Sequence, residues 1–139
     1  MVEVTSKEEV KEACVFAKQE GVPIFVLGGG SNVLIADGLL HRLVIRNNIT
    51  GITYLPVDTY MLVTAGAGEN WDSFVEVLAN QGLGGLENLS GIPGTVGAAP
   101  VQNINAYGAS VADSIKCVEV YDETVDAFKI ISAEECRFG

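Results

Sequence analysis

An α+β fold is predicted by three features of this sequence. The first third reads strand, helix, strand. Short β-branched runs follow it. A one-faced helix then precedes a glycine-rich stretch and a closing hairpin. Residues 2–4 form the first expected strand. Ser6 with Glu9 three residues on has the pattern of a capping box. Val10, Ala13, Cys14 and Ala17 then recur at helical spacing, and Gly21 ends the helix. Pro23-Ile24-Phe25-Val26-Leu27 is a continuous apolar run and reads as a buried strand, the start of an α/β layer. Residues 33–36 are apolar, are cut short by the Asp37-Gly38 turn, and read as another strand. Residues 43–46, 52–55 and 61–64 read likewise, and the Gly66 and Gly68 pair marks a tight turn or a close backbone approach. Asn70 is placed to cap a second helix with the apolar stripe Trp71, Phe74, Val75, Leu78 and Ala79, stopping near Gly82. Residues 115–121 and 127–131 predict a hairpin around Asp122-Glu123-Thr124, and Ser132 with Glu135 predicts another capping box.

Bulk properties exclude several classes. The 139 residues make one domain's length, and 48% hydrophobic content suffices for a core, so disorder is not expected. A net charge of -10 repels phosphate backbones and anionic lipid, which argues against nucleic acid and membrane surfaces as partners. No apolar run approaches the ~20 residues needed to span a bilayer. The acidic N-terminus lacks a signal pattern, so a cytoplasmic location is the simplest expectation. Cys14, Cys117 and Cys136 are odd in number and spaced for neither a metal nor a disulfide framework; they are expected to be free, buried or half-buried thiols. His41, the only histidine, lies beside Arg42 and reads as a surface residue, not a catalyst.

Two glycine-rich stretches carry the chemistry. Gly28, Gly29, Gly30, Ser31 and Asn32 follow a strand. Successive exposed amides make an anion-binding nest, with a diphosphate as its natural guest. The stretch is neither a dinucleotide fingerprint, which needs G-x-G-x-x-G opening a helix, nor a P-loop, which needs Gly-Lys-Ser/Thr. A purely structural turn fits it equally well. The second stretch, residues 85–108, is rich in Gly, Pro and Ala but contains the uncharged amides Gln102, Asn103 and Asn105. Such a surface suits a flat ring with polar edges and apolar faces, such as an isoalloxazine. An irregular packed loop is the alternative reading.

Taken together, Leu27-Gly28-Gly29-Gly30-Ser31-Asn32-Val33-Leu34, Gly66-Ala67-Gly68-Glu69-Asn70-Trp71, residues 85–108 and Glu135-Cys136-Arg137-Phe138-Gly139 resemble, in order, the signatures of the UDP-N-acetylenolpyruvoylglucosamine reductase family. The resemblance runs from Val2 to the last residue. It implies an FAD-binding domain of the vanillyl-alcohol-oxidase (PCMH) type, with two α/β sub-domains at about 1–56 and 57–139. The implied reaction reduces the enolpyruvyl ether of UDP-N-acetylglucosamine to the lactyl ether of UDP-N-acetylmuramate. NADPH is the co-substrate and FAD relays the hydride, in a cytoplasmic step of peptidoglycan precursor synthesis.

By matched position, the resemblance implies that Gly28, Gly29, Gly30, Ser31 and Asn32 cradle the FAD pyrophosphate. It implies that Pro93, Gly94, Gly97, Ala98 and Ala99 line FAD by backbone contacts. Val101, Gln102, Asn103, Asn105 and Tyr107 are expected near the isoalloxazine. Ala98-Ala99 replaces a Ser-Ser pair seen in some members, which removes hydroxyls and leaves backbone donors. Asn105 stands where the family usually has Gly, and Asn tolerates a left-handed turn there.

The resemblance further implies a domain incomplete at both ends. The family's catalytic arginine would follow Gly139, and its serine proton donor and glutamate lie in a substrate domain beyond. No catalytic acid, base or metal ligand is expected among these 139 residues, and Glu87 is expected to brace its loop. Turnover by this chain alone is therefore not expected. The competing reading is a cofactor-free interaction or oligomerisation module that keeps the fold, self-associating through apolar surface.

Overall fold

The computed structural model describes residues 1–139. Strand β1 (Val2–Val4), helix α1 (Lys7–Glu20), β2 (Ile24–Leu27) and β3 (Leu43–Asn47) build the first layer. The sheet is parallel with order β1-β3-β2. Parallel neighbours need long crossovers; α1 supplies the first, and residues 28–42 supply the second without forming a helix or strand. Ala13 and Cys14 of α1 pack against Val4 and Ile45 to make a small core.

Local signals set the ends of α1. The Ser6 hydroxyl accepts from the Glu9 N–H at 3.2 Å. The expected reciprocal half differs: the Glu9 carboxylate takes the Thr5 N–H at 2.6 Å and the Thr5 hydroxyl at 3.0 Å, one residue before the cap. Gly21 closes the helix in the left-handed region, with φ 65°.

Hairpin β4 (Ile52–Val57) and β5 (Tyr60–Ala65) is antiparallel and packs through Ile52, Val63 and Ala65 on helix α2 (Trp71–Asn80). The Asn70 side chain caps α2 by accepting from the Ser73 N–H at 2.9 Å. Trp71, Phe74, Val75 and Leu78 form the centre of the larger core with Leu89, Ala99 and Val111. The chain continues through helix α3 (Ala98–Val101) and the two-residue strands β6 (Asn105–Ala106) and β7 (Ala109–Ser110). Hairpin β8 (Cys117–Asp122) and β9 (Ala127–Ser132) and helix α4 (Ala133–Cys136) complete it. Ser132 and Glu135 form the full capping box expected of them. The last hairpin folds back onto α1: Lys7 pairs with Glu119 at 2.6 Å and Lys18 with Asp126 at 3.0 Å, while Tyr121 packs on the first core.

Two expected strands are corrected. Residues 33–36 form no strand, and Leu34 is fully exposed. A β-branched run is a strand only where a neighbouring strand pairs with it, and none pairs here. Nor is β2 buried: it lies at the sheet edge, and Val26 is 66% exposed. Val26 is level with Ile45 in the register, but it stands outside the cluster that α1 covers.

Candidate functional site

Helix α2 and the residues before it act as a post on which the second glycine-rich stretch is stitched. The Trp71 N–H donates to Gly94 O at 3.1 Å, Val96 N–H to Glu69 O at 2.9 Å, and Gly97 N–H to Ala67 O at 2.9 Å. The first two form a lone antiparallel bridge between Asn70 and Thr95. Side chains add to it. The buried Trp71 indole Nε1 donates to Leu89 O at 2.8 Å. The Asp72 carboxylate accepts from the Gly91 N–H at 2.6 Å and the Ser90 hydroxyl at 2.7 Å, and these donors hold it below the usual carboxylate range.

So held, residues 93–98 meet residues 28–31. The Ser31 hydroxyl donates to Pro93 O at 3.2 Å. The two stretches approach closely: a Cβ on Gly29 would stand 3.5 Å from the Gly94 Cα, and one on Gly28 would stand 2.8 Å from the Thr95 Oγ1. A side chain at Gly28 would crowd Thr95, and Gly30 has φ 75°, a left-handed backbone that glycine adopts freely.

Hydrogen-bond accounting separates the donors. The N–H groups of residues 28–32, Gly94 and Thr95 donate to no protein acceptor, whereas those of Val96, Gly97, Ala98 and Ala99 are all taken within the fold. Two sets of free amides thus lie on adjoining stretches, and free amides of this kind favour an anion. The donors expected to remain at Ala98 and Ala99 are spent on Thr95 O and Val96 O, and the Ala99 side chain is buried in the core. Gly97, Ala98 and Ala99 thus carry no free N–H group.

The residues expected near the ring follow directly in the chain. Gln102 caps α3 through its N–H to Ala98 O at 3.1 Å and lines a shallow cleft with Trp71, Pro93, Thr95 and Ala98. Ser31 and Gln102 thus border the same strip of chain, residues 93–98. Asn103 has φ 43°, and its side-chain amide donates to Gly139 O at 3.1 Å. Asn105 is extended in β6, so the left-handed turn expected there falls instead on Asn103 and Tyr107. Val101 and Tyr107 are exposed and do not line that cleft. Asn32 is exposed and makes no hydrogen bond with residues 93–108.

The remaining candidates behave structurally. The Glu87 carboxylate braces its loop, accepting the Gly85 N–H at 2.5 Å, and backbone donors, its own first and that of Gly85 next, lower its pKa. His41 is exposed in the crossover. Cys14 is buried and Cys136 half-buried as expected, but Cys117 is exposed because β8 shows that side to solvent. No group of His, Cys, Asp or Glu is arranged to hold a metal. No helix is long and apolar enough to cross a membrane. Sequence reasoning missed Thr95 and Asp72; the Thr within Gly94-Thr95-Val96-Gly97, a lone hydroxyl in a glycine-rich run, was the available signal.

The chain is similar to known proteins over its whole length. A family model described as "FAD binding domain" matches residues 1–128. UDP-N-acetylenolpyruvoylglucosamine reductase of Thermobifida fusca is 42% identical over 137 residues, covering 98% of this chain and 38% of that protein. The enzyme of the same name from Shewanella sp. (strain ANA-3) is 42% identical over 139 residues, covering 100% of this chain and 40% of that protein. The chain therefore spans about two-fifths of the length of these curated relatives. The crystal structure of UDP-N-acetylenolpyruvylglucosamine reductase from Thermus caldophilus superimposes with a TM-score of 0.74 at 32% identity, covering 96% of this chain and 45% of that one. These matches bear out the α+β fold of PCMH type and the FAD cofactor expected from the motifs. The chain belongs to the FAD binding domain family, and along its length it resembles the UDP-N-acetylenolpyruvoylglucosamine reductases.

Proposed function

We propose that this chain is the FAD-holding part of a reductase that converts the enolpyruvyl ether of UDP-N-acetylglucosamine to UDP-N-acetylmuramate with NADPH, in the cytoplasm. One observation carries the reading: residues 28–32 and residues 94–95 bring two sets of unpartnered amides to one place, stitched there by Ser31 and the Trp71 post. The residues fit a diphosphate, because the free donors are neutralised by an anion and the glycines leave room for it. Gly28, Gly29, Gly30, Ser31, Asn32 and Gly94 would hold the diphosphate, with Pro93, Gly97, Ala98 and Ala99 as the packed floor behind them. Val101, Gln102, Asn103, Asn105 and Tyr107 would border the ring. FAD, when bound, supplies two-electron transfer between a nicotinamide and an alkene. These residues bind and orient; none of the 139 acts as catalytic acid or base in this reading.

The two cores support two sub-domains. The division expected near residue 56 is proposed to fall before Ile52, since β4 belongs with the larger core. Titrating the purified chain with FAD and following flavin fluorescence and absorbance tests the function. Saturable quenching supports it; a colourless chain indifferent to added FAD refutes it.

One observation favours a second reading, self-association of a cofactor-free module. Val33, Leu34, Ile35, Leu39 and Leu40 are all exposed along the crossover. A concentration-dependent mass in analytical ultracentrifugation, together with failure to take up FAD, would support that reading over the first.

A further inference from the structure

We propose that hairpin β8–β9 is a strut between the two cores, and that its seat on α1 makes them one cooperative unit and holds the two glycine-rich stretches in alignment. The alignment half rests on the flavin reading above; the coupling half does not. The hairpin is anchored at both ends. At its base, Ile115 packs on the larger core and its N–H donates to Val111 O at 3.1 Å. The Lys116 ammonium donates to the Tyr60 hydroxyl of β5 at 3.2 Å and lies 5.6 Å from that ring's centre. Further along the same strand, Tyr121 packs on the small core beneath α1. Extended chain rises ~3.3 Å per residue, so the two anchors stand up to roughly 20 Å apart.

Few other ties hold the units together. Between residues 1–47 and residues 52–139 three hydrogen-bonded contacts are made: Ser31 to Pro93 O at 3.2 Å, Lys7 to Glu119 at 2.6 Å and Lys18 to Asp126 at 3.0 Å. Two of the three belong to the hairpin. The connecting segment is clasped separately, by Gly66 N–H to Gly51 O at 2.9 Å and Gly68 N–H to Ile49 O at 2.8 Å. That clasp and the Ser31 contact are two points, and two points leave rotation about the line that joins them. The hairpin supplies the third. A hairpin that only covered α1 would need no anchor in the larger core. The seat itself is light: the Lys7 ammonium also lies 5.5 Å from the centre of the Phe128 ring, which packs edge-on against Tyr121 at 5.1 Å. Exposed ion pairs each contribute little and are screened by salt, so this is a contact that opens before either core does.

Charge reversal and its repair test the strut on the 139-residue chain. Lys7→Glu with Lys18→Glu breaks both pairs and sets like charges across the seat. Adding Glu119→Lys with Asp126→Lys restores both pairs in reverse. Urea unfolding is followed by two probes: the fluorescence of Trp71, which lies in the larger core, and far-ultraviolet circular dichroism, which reports the whole chain. The two transitions are expected to coincide in the parent, separate in the double reversal and coincide again in the fourfold swap. Lys18→Glu also opposes the dipole of α1, an effect the swap does not repair, so recovery in the swap isolates the seat. Transitions that stay together in the double reversal overturn the strut, as do transitions that already differ in the parent or stay apart in the swap. Should the double reversal fail to fold, Lys7→Ala with Lys18→Ala carries the same comparison without the repulsion. For the alignment half, the dissociation constant of FAD is measured by flavin fluorescence. It is expected to rise about threefold or more in the double reversal, the scale of two exposed pairs, and to return in the swap. Parent that binds FAD no better than the double reversal refutes the alignment role. Parent that binds no FAD refutes the flavin reading and leaves the unfolding test of the strut standing.

Discussion

Gly97→Ala isolates the contact that seats the second glycine-rich stretch. The new Cβ would lie 2.6 Å from the Ala67 Cβ, 3.0 Å from the Ala67 O and 3.1 Å from the Ala67 Cα. Carbon atoms pack at about 3.5–4.0 Å, so the overlap with the Ala67 Cβ approaches 1 Å. Gly97 has φ -69° and ψ -22°, a backbone that alanine adopts freely. On backbone entropy alone the substitution would therefore stabilise by about 0.4–1 kcal/mol. The steric term opposes this with about 1–3 kcal/mol. Separation of the Gly97 N–H from Ala67 O, now 2.9 Å apart, adds about 0.5–1.5 kcal/mol. The clash wins, and a net loss of about 1–3 kcal/mol is expected. Urea unfolding followed by the fluorescence of Trp71, the single tryptophan, reads it directly. With a slope of about 1–3 kcal/mol/M the midpoint should fall by about 1 M. Adding Ala67→Gly should restore part of the loss, because it removes the nearest atom but leaves the backbone of residue 67 in place. A neutral or stabilised Gly97→Ala would refute the claim that this glycine exists to let two backbones touch.

Trp71→Phe leaves the buried Leu89 carbonyl without its donor and is expected to cost about 1–3 kcal/mol, read as thermal unfolding by circular dichroism; an unchanged midpoint would count against the post. Five carboxylates are held below their ordinary range by hydrogen bonds: Glu9 by Thr5, Asp72 by Gly91, Glu87 by its own backbone N–H and that of Gly85, Asp122 by Lys129 and Thr124, and Glu135 by Ser132. A depressed folded-state pKa gives stabilisation that is present above the unfolded value and lost as pH falls through the folded one. Stability should therefore hold from pH 7 to about 5 and fall below about pH 4, with Asp122→Asn flattening the acid limb; equal acid slopes for parent and variant would contradict this. Ser6→Ala removes the acceptor for the Glu9 N–H and should cost about 1 kcal/mol in the same urea assay, and no change would show that the α1 cap contributes nothing.

Local chemistry made much of this protein readable before folding. Ser6, Asn70 and Ser132 each start a helix where a cap was expected, because a side-chain oxygen satisfies a nearby N–H whatever the rest of the chain does. Gly21 ends α1, and the period of Trp71, Phe74, Val75 and Leu78 buries one face of α2, for reasons equally local. The motifs Leu27-Gly28-Gly29-Gly30-Ser31-Asn32 and Pro93-Gly94-Thr95-Val96-Gly97 marked the stretches that meet.

Only the tertiary structure decided which of their groups are free. Ala98 and Ala99 look like available donors in sequence, but the turn into α3 consumes their N–H groups; Thr95 looks like filler until its bridge to Asn70 lays it across Gly28. Residues 33–36 have every local mark of a strand, yet a strand needs an edge to pair with, and the sheet closes as β1-β3-β2 without them. The return of the last hairpin onto α1, through Lys7 with Glu119 and Lys18 with Asp126, joins residues more than a hundred positions apart. Caps and periodicity are properties of a few neighbouring residues, so the sequence alone determined them. Strand pairing and the spending of each backbone donor depend on what arrives from elsewhere in the chain, and packing alone settles that.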